Sequence, residues 1–195
     1  MSTQLEFQKK MQQNHKNSAY GEKKLVFGEG SSTPLLMMIG EAPGGDEEKQ
    51  GKPFVGKAGK NLSSFLEVIG LKREEIYISN VVKLRPTKVS PKTGKAVNRP
   101  PSREEIAFFL PYLVEEIQLI SPKIIVTLGN VPLKAVSGDK NISIGDVHGK
   151  PYPLEKNQIL FPLYHPAAII YNRALSEIYQ EDLLTLKGFL NEMES

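Results

Sequence analysis

The sequence predicts an α/β fold of three layers, α/β/α, built around a central, mostly parallel four-stranded sheet. Three observations predict it. Apolar runs of strand length alternate with segments of helical periodicity along the chain. The strand runs are apolar at consecutive rather than alternate positions, as in strands covered on both faces. The 195 residues, 39% hydrophobic and 24% charged, have ordinary globular composition and enough length for one sizeable core.

The elements follow in order. Residues 1–24 carry a weak apolar run (Leu5, Phe7, Met11) and five Lys against two Glu, and read as a helical, basic extension; residues 25–195 read as a single domain. LLMMIG (35–40) is the first strand, followed by a glycine-rich loop over 41–59. Leu62, Phe65, Leu66 and Ile69 fall at helical spacing, and Gly70 supplies a stop. IYISNVV (76–82) is the second strand. Pro86, Pro91, Gly94, Pro100 and Pro101 then make 84–101 a loop. Ser102 with Glu105 is a capping-box pattern, and Ile106, Phe109, Leu110, Leu113 and Ile117 form one stripe, with Pro111 expected to kink the helix. KIIVTLG (123–129) is the third strand, and a short helix through Leu133 and Val136 follows it. Residues 142–147 are expected to add a small extra strand. QILFPL (158–163) is the fourth main strand, and a helix over about 174–190 closes the chain. No internal repeat, low-complexity segment or dividing linker is present.

Composition excludes several classes. No apolar run approaches the ~20 residues of a membrane span, and residues 1–24 lack the apolar region of a secretory leader. The chain contains no Cys, which excludes disulfides, thiolate metal sites, Cys-ligated iron–sulfur clusters and Cys nucleophiles, and places it with cytosolic proteins. Net charge is +3, yet residues 83–103 hold Lys83, Arg85, Lys88, Lys92, Lys95, Arg99 and Arg103 with no acid. Such a block is either a solvated loop or a track for nucleic-acid phosphates.

The familiar site motifs are missing. GGDEEKQGKP fails the phosphate-loop spacing, and its Glu41, Asp46, Glu47 and Glu48 repel polyphosphate, so no nucleotide cofactor is expected. His15, His148 and His165 lie far apart without metal-site spacing, and no G-x-S-x-G elbow occurs, so no metal and no cofactor are expected. In an open parallel sheet, ligands bind beyond the carboxyl ends of the strands. Those ends carry Glu41, Asn80, Gly129 and His165, with Phe54 in the first loop and the basic segment after Asn80. Singly, Glu41 reads as a solvated turn acid, Asn80 as a strand cap, Phe54 as core and His165 as a surface turn residue. Jointly they place a carboxylate, an amide, an aromatic and an imidazole at one end of one sheet.

At these residues the chain resembles the uracil-DNA glycosylase superfamily, specifically the family-four type known from thermophilic bacteria and archaea. The resemblance is carried by VFGEG (26–30), GEAPG (40–44), GKPFVGKAG (51–59), NVVK (80–83), Arg85-Pro86, Asn98-Arg99, PYL (111–113), IVTLG (125–129) and HPA (165–167), in order along nearly the whole chain. It implies a uracil-DNA glycosylase-like fold and a monofunctional hydrolase that excises uracil from DNA in base excision repair, leaving an abasic site. The matched motifs offer no nucleophilic lysine for strand nicking. The resemblance further implies that Glu41 and His165 are catalytic, and that Ala42, Gly44, Glu47, Phe54 and Asn80 bind uracil. In this scheme Phe54 stacks on the flipped base, Asn80 reads its edge and Glu47 crowds the 5-methyl of thymine. Lys83, Arg85, Lys88 and Arg99 are expected along the DNA backbone. Ile169, Ile170 and Tyr171 lie where relatives carry an apolar wedge; Ile169 and Ile170 equally fit the core face of the last helix. The expected partner is uracil-containing DNA, single- or double-stranded, met by a cytoplasmic, nucleoid-associated monomer with no membrane contact. Family-four proteins normally hold a four-iron cluster on four Cys; here Leu84 and Phe109 occupy two of those positions and polar residues around 13–16 the others. Leu84 and Phe109 are expected to fill the cluster's space by apolar packing. The alternatives are a catalytically silent DNA-binding paralogue, or a glycosylase for another deaminated base such as hypoxanthine.

Overall fold

In the computed structural model, which describes residues 3–172 and 174–194, each of the four expected strands lies within its apolar run. Helix α1 (Thr3–Lys16) buries Phe7, Met11 and His15, one residue per turn along a single face. Strand β1 (Glu29–Gly30) precedes β2 (Leu36–Gly40), every residue of which is buried. The glycine-rich loop is not wholly irregular, because α2 (Gly45–Gln50) winds a short helix inside it. Helix α3 (Lys57–Ile69) ends at Gly70, whose φ of 79° favours glycine. A 3₁₀ turn (Arg73–Glu75) leads to β3 (Tyr77–Asn80).

The basic segment, expected as a loop, contains a hairpin of β4 (Thr87–Val89) and β5 (Ala96–Asn98). Its prolines and glycine lie outside the two paired segments, so no ladder bond is lost. Helix α4 (Arg103–Ile120) starts at the expected capping box: Ser102 Oγ accepts from the Glu105 amide and Glu105 Oε2 accepts from the Ser102 amide. It continues through Pro111 as one 18-residue helix. Strand β6 (Ile124–Leu128) and α5 (Asn130–Ser137) follow. The small strand expected over 142–147 is instead a helical turn, α6 (Ile144–Val147). The Asn130 side chain accepts from the Ile144 amide and starts this turn, a tertiary contact that local propensity does not record. Strands β7 (Tyr152–Pro153) and β8 (Ile159–Leu163), then α7 (Pro166–Tyr171) and α8 (Leu175–Glu194), complete the described chain.

The sheet order is β1-β3-β2-β6-β8-β7. The four expected strands form its parallel centre, and the two-residue strands β1 and β7 pair antiparallel at the edges. The sheet therefore has six strands, its edges too short to template another chain. Alternate residues of each central strand serve different cores. Leu36, Met38, Ile78, Val126 and Phe161 pack against α3 and α8, while Met37, Ile39, Tyr77 and Ile125 pack with α1 and α4. This two-sided burial explains the unbroken apolar runs.

Lys83 overturns one expectation. Its side chain is fully buried, so it does not line a DNA backbone. Nζ lies 2.5 Å from Glu116 Oε2 of α4 and also donates to Ser79 Oγ and the Asn80 carbonyl, both at 2.6 Å. Glu116 accepts further bonds from Tyr77 Oη and Ser79 Oγ. A buried ammonium is tolerable only with such a complete set of acceptors. Lys83→Met is expected to lower unfolding stability by about 3–5 kcal/mol, because it leaves Glu116 as an unpaired buried charge. Lys83→Met/Glu116→Leu is expected to recover most of that loss; urea titration of the three proteins checks both.

Candidate active site

The four parallel strands end together, and Gly40 of β2 stands directly beside Asn80 of β3 in register. Gly40 leaves room for two neighbours. A Cβ there would overlap Asn80 Oδ1 and lie 2.6 Å from Phe54 Cζ. Past this point opens a cavity of about 350 Å³ whose wall includes Ala42, Gly44, Glu47, Phe54, Asn80 and His165. That size is at the small end of the range of about 300–1,000 Å³ for small-molecule sites. A wider groove of about 840 Å³ lies at the opposite, amino ends of β6 and β8, bordered by Lys123 and Gln158. The smaller cavity is where the loops and the polar groups converge, and it is the candidate site.

Asn80 is 3% exposed. Its backbone carbonyl is held by Lys83, yet among the described residues no hydrogen bond reaches its side-chain amide. A nearly buried amide with its donor and acceptor both unused is rare unless a ligand completes it.

His165 caps α7. Its Nδ1 accepts from the Ala167 amide at 3.1 Å, so the proton of the neutral ring sits on Nε2. Burial lowers its pKa, partly countered by the Glu47 carboxylate. The site thus presents an uncharged imidazole with one N–H to donate. Asn61 of α3 donates to the Pro166 carbonyl and so ties down the start of α7. At Gly129, before α5, the φ of 95° favours glycine, while a Cβ there would meet His165 Cβ only at an ordinary 3.5 Å.

Phe54 lies 6.0 Å from His165, ring centre to ring centre, at an interplanar angle of 31°. It is 6% exposed and belongs to the core between the sheet and α3 while also lining the cavity. Its φ is +52°, a conformation that costs a bulky residue on the order of 1–3 kcal/mol. Arg73 holds it there: its guanidinium donates to the Phe54 and Pro53 carbonyls and pairs with Glu29 of β1. Gly59 lies against the same peptide, where a Cβ would overlap the Phe54 carbonyl oxygen.

Glu47 is a loop clamp. Oε1 accepts from the Val55 and Gly56 amides and Oε2 from the Gly44 amide, tying both flanks of α2 together. Glu41 follows Gly40 directly and is not part of the cavity wall. It is half-buried, no described residue bonds its carboxylate, and burial alone raises its pKa.

The remaining expected residues divide. Arg85 donates to Asn98 Oδ1 at 2.7 Å and pairs with Glu48; Arg99 makes a two-bond pair with Glu105. Both brace the hairpin stem. Lys88 is exposed. Ile169, Ile170 and Tyr171 are in α7, and their side chains lie outside the described residues. Arg73 and Asn98 were missed as site residues. Asn98 stands in the cavity wall although it comes from the basic segment. Arg73 sits in LKREE, which carries no motif.

The family model described as the uracil DNA glycosylase superfamily matches residues 27–186. The chain belongs to this superfamily. It is 44% identical to the type-4 uracil-DNA glycosylase of Sulfurisphaera tokodaii, over 83% of this chain and 73% of that protein. It is 36% identical to the type-4 uracil-DNA glycosylase of Thermotoga maritima, over 86% and 84%. The solved structure of wild-type Pedobacter heparinus SMUG2 shares the fold, with a TM-score of 0.54 over 84% of this chain and 77% of that one, at 16% identity. The iron cluster common among family-four glycosylases does not fit these residues. Leu84 and Phe109 are fully buried beside Phe7 and Met11, and the His15 ring lies 6.3 Å from Phe109. Where four thiolates are required, the chain has closely packed carbon and no Cys.

Arg73→Ala is expected to release the Phe54 peptide, since two carbonyls lose a charged donor. The expected readouts are faster amide exchange over residues 54–60 and a stability loss of about 1–3 kcal/mol.

Proposed function

We propose that the chain is a monofunctional uracil-DNA glycosylase acting in base excision repair on single- or double-stranded DNA. The observation that carries this reading is the unused Asn80 amide, facing a small cavity between the Phe54 ring and the His165 imidazole. Uracil presents an acceptor at O4 beside a donor at N3–H, which the amide complements with its nitrogen toward O4; cytosine presents the reverse pair and calls for the amide turned over. Phe54 gives the flipped base an aromatic face. Glu47 presents its side chain to the cavity while both oxygens hold the loop, which makes it a rigid barrier to a 5-methyl group.

The reaction follows from the same groups. As the N1–C1′ bond breaks, its electron pair moves onto the base and negative charge gathers on O2. His165 Nε2–H donates to that oxygen without adding a full positive charge to the site. Glu41 takes a proton from the attacking water, whose oxygen bonds to C1′, and its carboxylate favours the positive charge developing on the sugar. The base leaves as its anion and becomes uracil by taking up a proton from solvent, Glu41 returns its proton to solvent, and the sugar remains as an abasic deoxyribose. No cofactor takes part, and the working species is a monomer in the cytoplasm, associated with the nucleoid.

Single-turnover assays on uracil-containing oligonucleotides test the proposal. Base release is expected with uracil and not with hypoxanthine or cytosine. His165→Ala is expected to lose about 10²–10³-fold in rate, as for other donors to a developing oxyanion. Absence of abasic product, or full activity in both Glu41→Ala and His165→Ala, overturns the reading. The pH profile adds a second check. With its pKa raised by burial, Glu41 takes up a proton at a pH where an ordinary glutamate is still ionised. The rate is therefore expected to fall on acidification through a range above the usual carboxylate one. Glu41→Gln should abolish that limb along with most of the activity.

A further inference from the structure

We infer that the β4–β5 hairpin is a DNA-contacting ribbon, which grips the strand a few nucleotides away from the extruded base. The inference rests on the glycosylase reading and locates its DNA contact. No acid occurs between residues 76 and 103, so the hairpin is uniformly basic. The structure divides these cations into two groups. Lys83, Arg85 and Arg99 are engaged with Glu116, Glu48 and Glu105 and stiffen the base of the hairpin. Arg99 also donates to the Thr87 carbonyl and so links the two strands. Lys88, Lys92 and Lys95 are exposed, and no described residue pairs with them.

Strand register gives the ribbon a direction. Thr87 pairs with Asn98, Lys88 with Val97 and Val89 with Ala96. Residues opposite one another share a face, so Asn98, Thr87, Ala96 and Val89 lie on one face. Asn98 is in the wall of the base cavity, so the face that begins at the cavity continues outward as Thr, Ala and Val. Val89, 70% exposed, ends that strip, and no described residue covers it. The turn beyond it carries Lys92 and Lys95.

A strand rises about 3.4 Å per residue, so the three residues from Asn98 to Lys95 span about 10 Å. That matches about three base steps along one DNA strand at ~3.4 Å each. With a base in the cavity, Val89 and Ala96 lie against the sugars and base edges of the flanking nucleotides, and Lys92 and Lys95 reach the phosphates beyond. A two-stranded ribbon is narrow enough to enter a major groove.

The test uses Lys92→Ala/Lys95→Ala and an oligonucleotide bearing 2′-fluorodeoxyuridine, which resists cleavage. The slope of log affinity against log salt is expected to become shallower by about 1.4–1.8, the value for two lost phosphate contacts. The single-turnover rate at saturating enzyme on ordinary uracil DNA should stay unchanged. Lys140→Ala, exposed elsewhere, controls for net charge. Trimming the substrate to two nucleotides on the hairpin's side of the uracil should erase the difference between wild type and variant. An unchanged salt slope, or a difference between wild type and variant that persists on the trimmed substrate, overturns the inference. Failure of the wild type to release uracil would instead overturn the catalytic reading, while the binding slope still decides the hairpin.

Discussion

The site depends on a missing side chain. Gly40 ends β2 where three groups must come close: the β2 backbone, the Asn80 amide from the neighbouring strand and the Phe54 ring from the loop. Any Cβ at that position would push the amide or the ring away. The cavity is thus the space that remains once a strand end gives up its side chain, and its shape is fixed by backbone. Backbone registered in a parallel sheet moves little, so the polar groups are aimed before any ligand arrives.

Each of these groups is held from behind, Asn80 and Phe54 by partners that stand outside the cavity. On β3 the alternation of side chains sends Tyr77 and Ser79 toward α4 and Asn80 toward the cavity. Lys83 takes the Asn80 carbonyl into the ion pair on the α4 side, so the strand end cannot fray without breaking that pair. Arg73 does the same for Phe54, and the Ala167 amide does it for His165. The strained φ of Phe54 fits this division of labour, in which the conformation belongs to the site and its restraint to the scaffold.

The main strands, the capping box of α4 and the Gly70 stop are legible in the sequence because they depend on residues within a few positions of each other. The convergence of Glu41, Phe54, Asn80 and His165 toward one end of the sheet is legible too, because parallel strands place every following loop at the same end. Lys83 was not legible. A lysine in a basic run looks solvated until Glu116, 33 residues later, is known to face it. Arg73 depends likewise on two carbonyls about 20 residues upstream. The hairpin was hidden because prolines dominate the composition of its segment while its strands are only three residues long. In 142–147, the apolar alternation that suggests a strand is overridden by one side-chain bond from Asn130.

The lack of Cys has a further meaning once the sulfur inventory is complete. Met11, Met37 and Met38 are fully buried, so the sulfur atoms at the heart of the fold are closed to solvent. Thiol oxidation, disulfide exchange and cluster disassembly have nothing to act on, and these three methionines open to sulfoxide formation only if the core opens, whereas Met193 is partly exposed. The packing of Leu84, Phe109, Met11 and Phe7 assembles by the ordinary burial of carbon, with no iron delivery and no sulfide. The folding of this chain therefore requires neither a thiol redox balance nor the assembly of a cluster.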